Sequence, residues 1–392
     1  MVIIKYVNMV FFAIFTLTLV VIFFFFFLAK LVDRRINKCD YATTENVSEQ
    51  AKALHKELLI ADMHADTFLW DRDFLQSNRQ GHIDLPRMLE GNAAIQIFDA
   101  VTKTPKGLNY NNNDDTTDNI TLLSIANRWP MKTWNSLLAR ALHNAERIRR
   151  ASKDSSGKFS VLTTGTELNA FLEKRKSNAQ MAAALLAVEG LHALQGKLEN
   201  LDTLYRAGYR MMGFVHFFDN DAGGSSTGVQ KGGLTKFGKQ ALKKMEALNI
   251  IIDLAHASAR LMDDILDMAT RPVVVSHTGV QGTRDSLRNL SDRHIKAVAA
   301  KGGLIGIGYW SEAVGDISAA GIAKAIRYTS QLVGVEHVAL GSDFDGAVHT
   351  RFDISALPLL TDALLKEGFS EEEIRGIMGG NQISFLQQWL PA

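Results

Sequence analysis

Cysteine, proline and excess charge are all scarce in this chain. One cysteine, Cys39, in 392 residues leaves no pair for an intramolecular disulfide, which excludes a disulfide scaffold and a thiolate metal cluster. Six prolines beside 46% hydrophobic residues exclude collagen-like and disordered chains. Net charge is only +1, and the small imbalance sits at the start. Residues 1–44 carry Lys5, Lys30, Arg34, Arg35 and Lys38 against Asp33 and Asp40, leaving 38 basic and 40 acidic residues in 45–392. A near-neutral body has no electrostatic footprint for nucleic acid. No G-x-G-x-x-G follows the first apolar run, which argues against a dinucleotide-binding sheet.

What is abundant is a single apolar run. No residue from 6 to 29 is charged, and positions 23–27 are five consecutive phenylalanines. A helix of this length crosses a hydrocarbon core of roughly 30 Å. The run is too long for the apolar part of a cleaved signal peptide, and Leu28-Ala29-Lys30-Leu31 is a poor cleavage site. Residues 1–44 therefore read as an uncleaved membrane anchor with a basic flank, and 45–392 as one large domain.

In the body, eight short apolar runs recur: 58–63, 93–98, 183–188, 210–215, 250–255, 272–276, 303–308 and 337–342. Their lack of polar alternation suits strands buried on both faces, as in a parallel sheet. Helical periodicity lies between them at 234–248, 261–268, 292–300 and 321–332. Eight such units predict a (β/α)8 barrel, a TIM barrel preceded by a transmembrane helix. The second-to-third connection, 99–181, is long. It holds a polar stretch at 109–115, read as a solvated loop tip, then helical sequence from 122 to 150. Such a connection can serve as a lid or as the contact of a homodimer.

Six of the runs end in an ionisable residue: Asp62-Met63-His64-Ala65-Asp66, then Glu189, His216, His256, His277 and Asp343. In a barrel these ends share one rim, the face where active sites of the fold are built. Singly, a histidine there bonds a loop and an aspartate caps a helix; six on one rim point to a site. Imidazole and carboxylate suit Zn2+. His64 and Asp66 alternate along a strand and reach one ion, His256 and His277 reach a second, and Glu189 has an oxygen for each. Two ions roughly 3.5–4 Å apart make a hydrolytic centre.

This constellation resembles the membrane (renal-type) dipeptidases, peptidase family M19 of the amidohydrolase superfamily. The matching stretches include Asp62-Met63-His64-Ala65-Asp66, Val188-Glu189-Gly190-Leu191-His192, Ile252-Asp253-Leu254-Ala255-His256, Val275-Ser276-His277-Thr278, Arg288-Asn289, Gly341-Ser342-Asp343-Phe344-Asp345-Gly346 and Gly379-Gly380-Asn381. The lone cysteine is similar to the bacterial branch rather than to the disulfide-bearing vertebrate members.

The resemblance implies a zinc-dependent dipeptidase with two Zn2+ per chain and a bridging hydroxide as nucleophile. It places His64 and Asp66 on one zinc, His256 and His277 on the other, and Glu189 between them. It implies that His216 contacts the scissile carbonyl, Arg288 binds the substrate carboxylate, and Asp343 handles protons and engages the substrate ammonium. Leu191 replaces the second glycine of the vertebrate Glu-Gly-Gly-His, and the family's substrate-contacting tyrosine has no match; Tyr309 receives no role. The alternatives are hydrolysis of another small amide, a lactam or an N-acyl amino acid, and a metal-binding relative without catalysis. Outside the pattern, Asp62 is expected to support its strand end, Asp345 to fix a turn, and His192 to orient Glu189 or start a helix. Residues 223–228 are expected to form a mobile loop over the mouth. The four basic residues after the span favour a cytoplasmic body by the positive-inside rule. Exported relatives favour the other side, and the extracytoplasmic side is the reading adopted.

Overall fold

The structure, a computed structural model, describes residues 2–40 and 46–392. The expected boundary between anchor and body, at 44/45, lies outside the described residues. All eight expected strands form: β1 (Ile60–Ala65), β2 (Ala93–Val101), β3 (Ala182–Glu189), β4 (Tyr209–Gly213), β5 (Ile251–Asp253), β6 (Val273–Thr278), β7 (Leu304–Ile307) and β8 (Val338–Leu340). Every ladder between them is parallel, and the sheet closes where Leu340 of β8 pairs with Asp62 of β1. The product is a closed eight-stranded (β/α)8 barrel. β1, β2 and β3 are buried at every position, as unalternating apolar runs require.

The helices returning the chain to the next strand begin at hydroxyl caps. Thr235, Ser258, Ser291 and Ser318 each accept a bond from a first-turn backbone N–H of the helices Lys236–Ala247, Ala259–Met268, Asp292–Ala300 and Ala319–Val333. Three short strands carry no sequence signal strong enough to read. Phe159–Val161 pairs with the start of β3, and Lys38–Cys39 pairs with His349–Thr350.

The helical sequence at 122–150 is not one helix. Asn119–Ala126 and Leu137–Asp154 are separate, because Asn127 caps the first, Arg128 takes a left-handed φ of 55°, and Pro130 follows. Arg140, on the second helix and 2% exposed, ties this connection to the barrel. Its guanidinium donates to Thr102 O (2.7 Å), Asp118 Oδ2 (2.6 Å), Thr121 Oγ1 (2.7 Å) and Trp134 O (2.9 Å).

Ahead of the barrel the backbone is helical from Val2 to Ile36. Over Ile4–Ile36 it is long and apolar enough to cross a membrane, and no residue of its most apolar stretch is buried. Its last turn does not hang free. Asp33, 3% exposed, pairs with Arg72 at 3.2 Å, and Arg72 also holds Asp345 at 2.8 Å. Asn37 donates to Asp33 (2.8 Å) and accepts from the Ala347 amide (2.8 Å). The stem is thus fastened to the loop after β8, three residues beyond which strand lies Asp343.

Removing one partner of a buried ion pair costs about 3–5 kcal/mol. Arg140→Met is therefore expected to lower unfolding stability by about that amount, read by urea titration of the detergent-solubilised chain. A loss below about 1 kcal/mol would show that water replaces the guanidinium contacts at no great cost.

Candidate metal centre

The barrel rim gathers all eight sequence-selected residues. His64 lies in β1, with Asp66 just beyond; Glu189 ends β3; His216 and His256 each follow their strand by three residues; His277 lies in β6; Asp343 follows β8. His64, Asp66, Glu189, His216, His256, His277, Arg288 and Asp343 are all more than nine-tenths buried. His256 and Asp343 have φ of 63° and 60°, the left-handed region that non-glycine residues seldom occupy and that concentrates at functional sites.

Glu189 is the centre of the cluster. Its Oε1 lies 2.8 Å from His256 Nε2 and 3.4 Å from His277 Nε2, while Oε2 lies 3.1 Å from His216 Nε2. On the other flank, His64 Nε2 stands 3.7 Å from Asp66 Oδ1 and 3.6 Å from Asp343 Oδ1. Three overlapping triads have donor atoms within 4.8 Å of one another: His64, Glu189 and His277; Glu189, His216 and His256; His64, Asp66 and Asp343. The expected His256–His277 pair is in contact, Nε2 to Nε2, at 3.0 Å. The sequence did not anticipate how closely His216 joins them through Glu189.

The electrostatics call for cations. Burial, reinforced by Asp66, Asp99 and Asp343 and opposed by His64, pushes the Glu189 carboxyl well above its usual range. Burial pushes Asp343 up to about 8, with His64 and Arg288 pulling against it. Burial holds the imidazoles of His216, His256 and His277 well below their usual value, so their nitrogens keep lone pairs to donate. For His64 burial works in the same direction, but the Asp99 and Asp66 carboxylates outweigh it and raise it. Asp66 Oδ1, Glu189 Oε1 and His64 Nε2 are buried without hydrogen-bond partners. Hard carboxylate oxygens, neutral imidazoles and orphaned buried atoms together fit a divalent metal.

Two supporting residues escaped the sequence reading. Asp99 of β2 stands with Oδ2 2.9 Å from His64 Nδ1, an ion-pair distance that sets a carboxylate behind the imidazole. It directly follows the second apolar run, the very signal that singled out the others. Asp253 ends β5 and accepts from Ser276 Oγ at 2.6 Å; Ser276 Oγ in turn meets His277 Nδ1 at 2.9 Å. With its proton given to Asp253, Ser276 accepts from Nδ1, and His277 Nε2 is left free to ligate.

Asp62 behaves as expected: it accepts from the His64 amide (3.0 Å), Gln96 Nε2 (2.9 Å) and the Ser342 amide (3.0 Å). Asp345 accepts from Thr67 Oγ1 (2.7 Å) and the His82 amide (2.7 Å), and Arg72 holds its carboxyl far below the usual range despite burial.

Other expectations change. His192 lies within the single turn Leu191–Leu194 but makes no hydrogen bond to Glu189; its ring lies 4.9 Å from Phe218. Residues 223–228 are packed under the ligand loops. Ser225 Oγ donates to His216 O (2.5 Å), and the Ser226 amide donates to His256 O (2.8 Å). Within the polar stretch 109–115, Tyr110 turns inward, its ring 6.0 Å from Phe217, and shares the site's lining with Arg288 and Trp310. Polar flanks concealed it, since only tertiary folding brings that loop over the rim.

A family model described as membrane dipeptidase (peptidase family M19) matches residues 48–389. Dipeptidase tcpJ of Claviceps purpurea is 27% identical over 79% of this chain and 69% of its own. The crystal structure of the metallopeptidase dipeptidase AC covers 86% of this chain and 99% of its own at 23% identity, with a TM-score of 0.72. A Rhodobacter sphaeroides metallopeptidase liganded with a phosphinate mimic of L-Ala-D-Ala covers 85% and 99% at 22% identity, with a TM-score of 0.70. At these identities the structural likenesses speak to fold.

Partners of metal-binding histidines are typically worth 10–100-fold in metal affinity. Asp99→Asn keeps the volume and removes the charge behind His64. It is expected to weaken metal binding by about that factor in competition titration against a chromophoric chelator. Unchanged affinity would show that Asp99 does not act through His64.

Proposed function

Since the chain belongs to the membrane dipeptidase family, peptidase family M19, and is a hydrolytic enzyme of that family, we propose that it cleaves dipeptides at a pair of zinc ions. The observation that supports this reading is Glu189, which shares one donor triad with His64 and His277 and another with His216 and His256. In this reading His64 and Asp66 would hold one ion and His256 and His277 the other, with Glu189 serving both. When bound, such a pair polarises a carbonyl and lowers the pKa of water towards neutrality.

The remaining work falls to side chains. His216, neutral and beside Glu189, contacts the scissile carbonyl and the oxyanion that develops there. Arg288 donates through Nη2 to His277 O at 2.9 Å, which sets its planar guanidinium to pair with the substrate carboxylate. Asp343, its Oδ1 3.6 Å from His64 Nε2 at the rim, passes a proton to the departing amine and engages the substrate ammonium. Residues 1–44 anchor the enzyme in the bilayer, and 45–392 form its catalytic domain.

Elemental analysis of the reconstituted enzyme is expected to find close to two zinc equivalents, with amino acids released from a dipeptide panel that includes L-Ala-D-Ala. Two bound equivalents with no dipeptide cleaved would overturn the reading. Within that panel, Arg288→Ala should lose its preference for free over C-amidated dipeptides; an unchanged ratio would remove Arg288 from carboxylate binding.

We place the catalytic domain outside the cytoplasm. A C-terminal alkaline phosphatase fusion is expected to be active, and an inactive one would give the decision to the four basic residues after the span.

A further inference from the structure

The space directly above the proposed zinc ligands is small. The pocket bounded by Glu189, His256, His277, Arg288 and Asp343 holds about 20 Å³, room for little more than the reacting atoms. A second cavity of about 430 Å³, a volume within the range of ligand pockets, adjoins it. The two share Asp66, Tyr110, His216, Phe217 and Gly346 in their walls. Most of a substrate seated at the rim therefore extends into the larger space.

That larger space is apolar and is walled partly by the membrane anchor. Leu28, Val32 and Ile36 of the stem form one side; Trp70, Ile120 and Leu123 of the barrel loops form the other. The stem is held in place by the buried Asp33–Arg72–Asp345 chain and by the Lys38–Cys39 ladder. At about 1.5 Å per residue, Ala29 to Ile36 rises only about 10 Å. The cavity thus begins at the level where the uncharged span ends and where Lys30, Arg34 and Arg35 stand exposed, the position of lipid headgroups. Its outer lip is apolar too, with Leu122 51% and Leu108 38% exposed.

We propose that this cavity receives an alkyl chain carried by the substrate, so that the enzyme acts on amphiphilic small amides drawn from the membrane interface. The proposal rests on the hydrolase reading above and names its substrate class. The alkyl chain lies against the stem while the amide reaches the rim. Water adds across the C–N bond, giving a carboxylate and an amine, and one product keeps the chain. The chain has two chemical sources, a long side chain of a dipeptide or the acyl group of an N-acyl amino acid.

The test uses the full-length zinc-loaded enzyme in phosphatidylcholine nanodiscs with three substrates: Ala-Ala, alanyl-2-aminodecanoic acid and N-decanoyl-alanine. At least one alkylated substrate is expected to exceed Ala-Ala in kcat/KM by tenfold or more, and which one does so identifies the source. Tenfold is about 1.4 kcal/mol, the return from burying about two methylenes. Leu122→Trp, which fills the cavity from an exposed position, should lower the alkyl-to-Ala-Ala ratio at least tenfold. Equal kcat/KM for all three, or a ratio unmoved by Leu122→Trp, would overturn the proposal. A readout independent of turnover uses an alanyl dipeptide whose alkyl chain ends in a diazirine. Photolabelling of peptides containing Val32 or Leu123 supports the cavity even if no dipeptide is cleaved, in which case the dipeptidase reading alone fails. Labelling confined to residues 4–23 would assign the chain to bulk lipid and overturn the proposal.

Discussion

Buried negative charge on the barrel rim is the constraint around which this molecule is organised. Asp66, Asp99, Glu189 and Asp343 are all more than nine-tenths buried within a few ångströms of the same imidazoles, and Arg288 is the fixed cation among them. Carboxylates in such surroundings either take up protons or acquire metal. Glu189 cannot be moved away, because it ends a strand buried at every residue and flanked by neighbours on both sides. A metal would restore the ionised carboxylates and take up the lone pairs of the neutral imidazoles, so the fold and the ligand would complete one another.

The rim holds its geometry through a layer of carboxylates one step deeper. Asp62, Asp99 and Asp253 lie in β1, β2 and β5; Asp62 and Asp253 accept hydrogen bonds that fix the residues above them, and Asp99 sets its carboxylate 2.9 Å from His64 Nδ1. The loops are secured in the same way: the packed segment 223–228 supports the carbonyls of His216 and His256, which leave their strands in irregular backbone. Preorganisation of this kind places the cost of assembling a charged site in folding rather than in the reaction.

The N-terminal helix belongs to this arrangement. Asp345 is two residues from Asp343 and receives Arg72, which also holds Asp33 at the end of the helix that is long and apolar enough to cross a membrane. The stem is therefore registered to the loop that carries Asp343, and one face of the barrel meets both that helix and the candidate site. A flexible tether would localise the enzyme; a docked stem also gives its mouth an apolar wall.

Much of this was legible from the chain alone, and the reason is periodicity. Strands buried on both faces must be apolar throughout, so the eight runs stand out, and a polar residue at the end of such a run marks the rim. That rule found His64, Glu189, His277 and the others, and applied to the run 93–98 it would have found Asp99 too. Asp253 is less visible, because its part depends on Ser276 from the adjacent strand. Tertiary structure alone decided the rest. Tyr110 lies in a stretch of asparagines whose local pattern says solvent, and only the path of an 80-residue connection turns it inward. The stem's dock depends on Asp33 meeting Arg72 and Asp345, residues distant in sequence whose charges look like ordinary surface until burial brings them together. Local sequence determines which segments must be buried; which buried segments meet is set by the closure of the barrel.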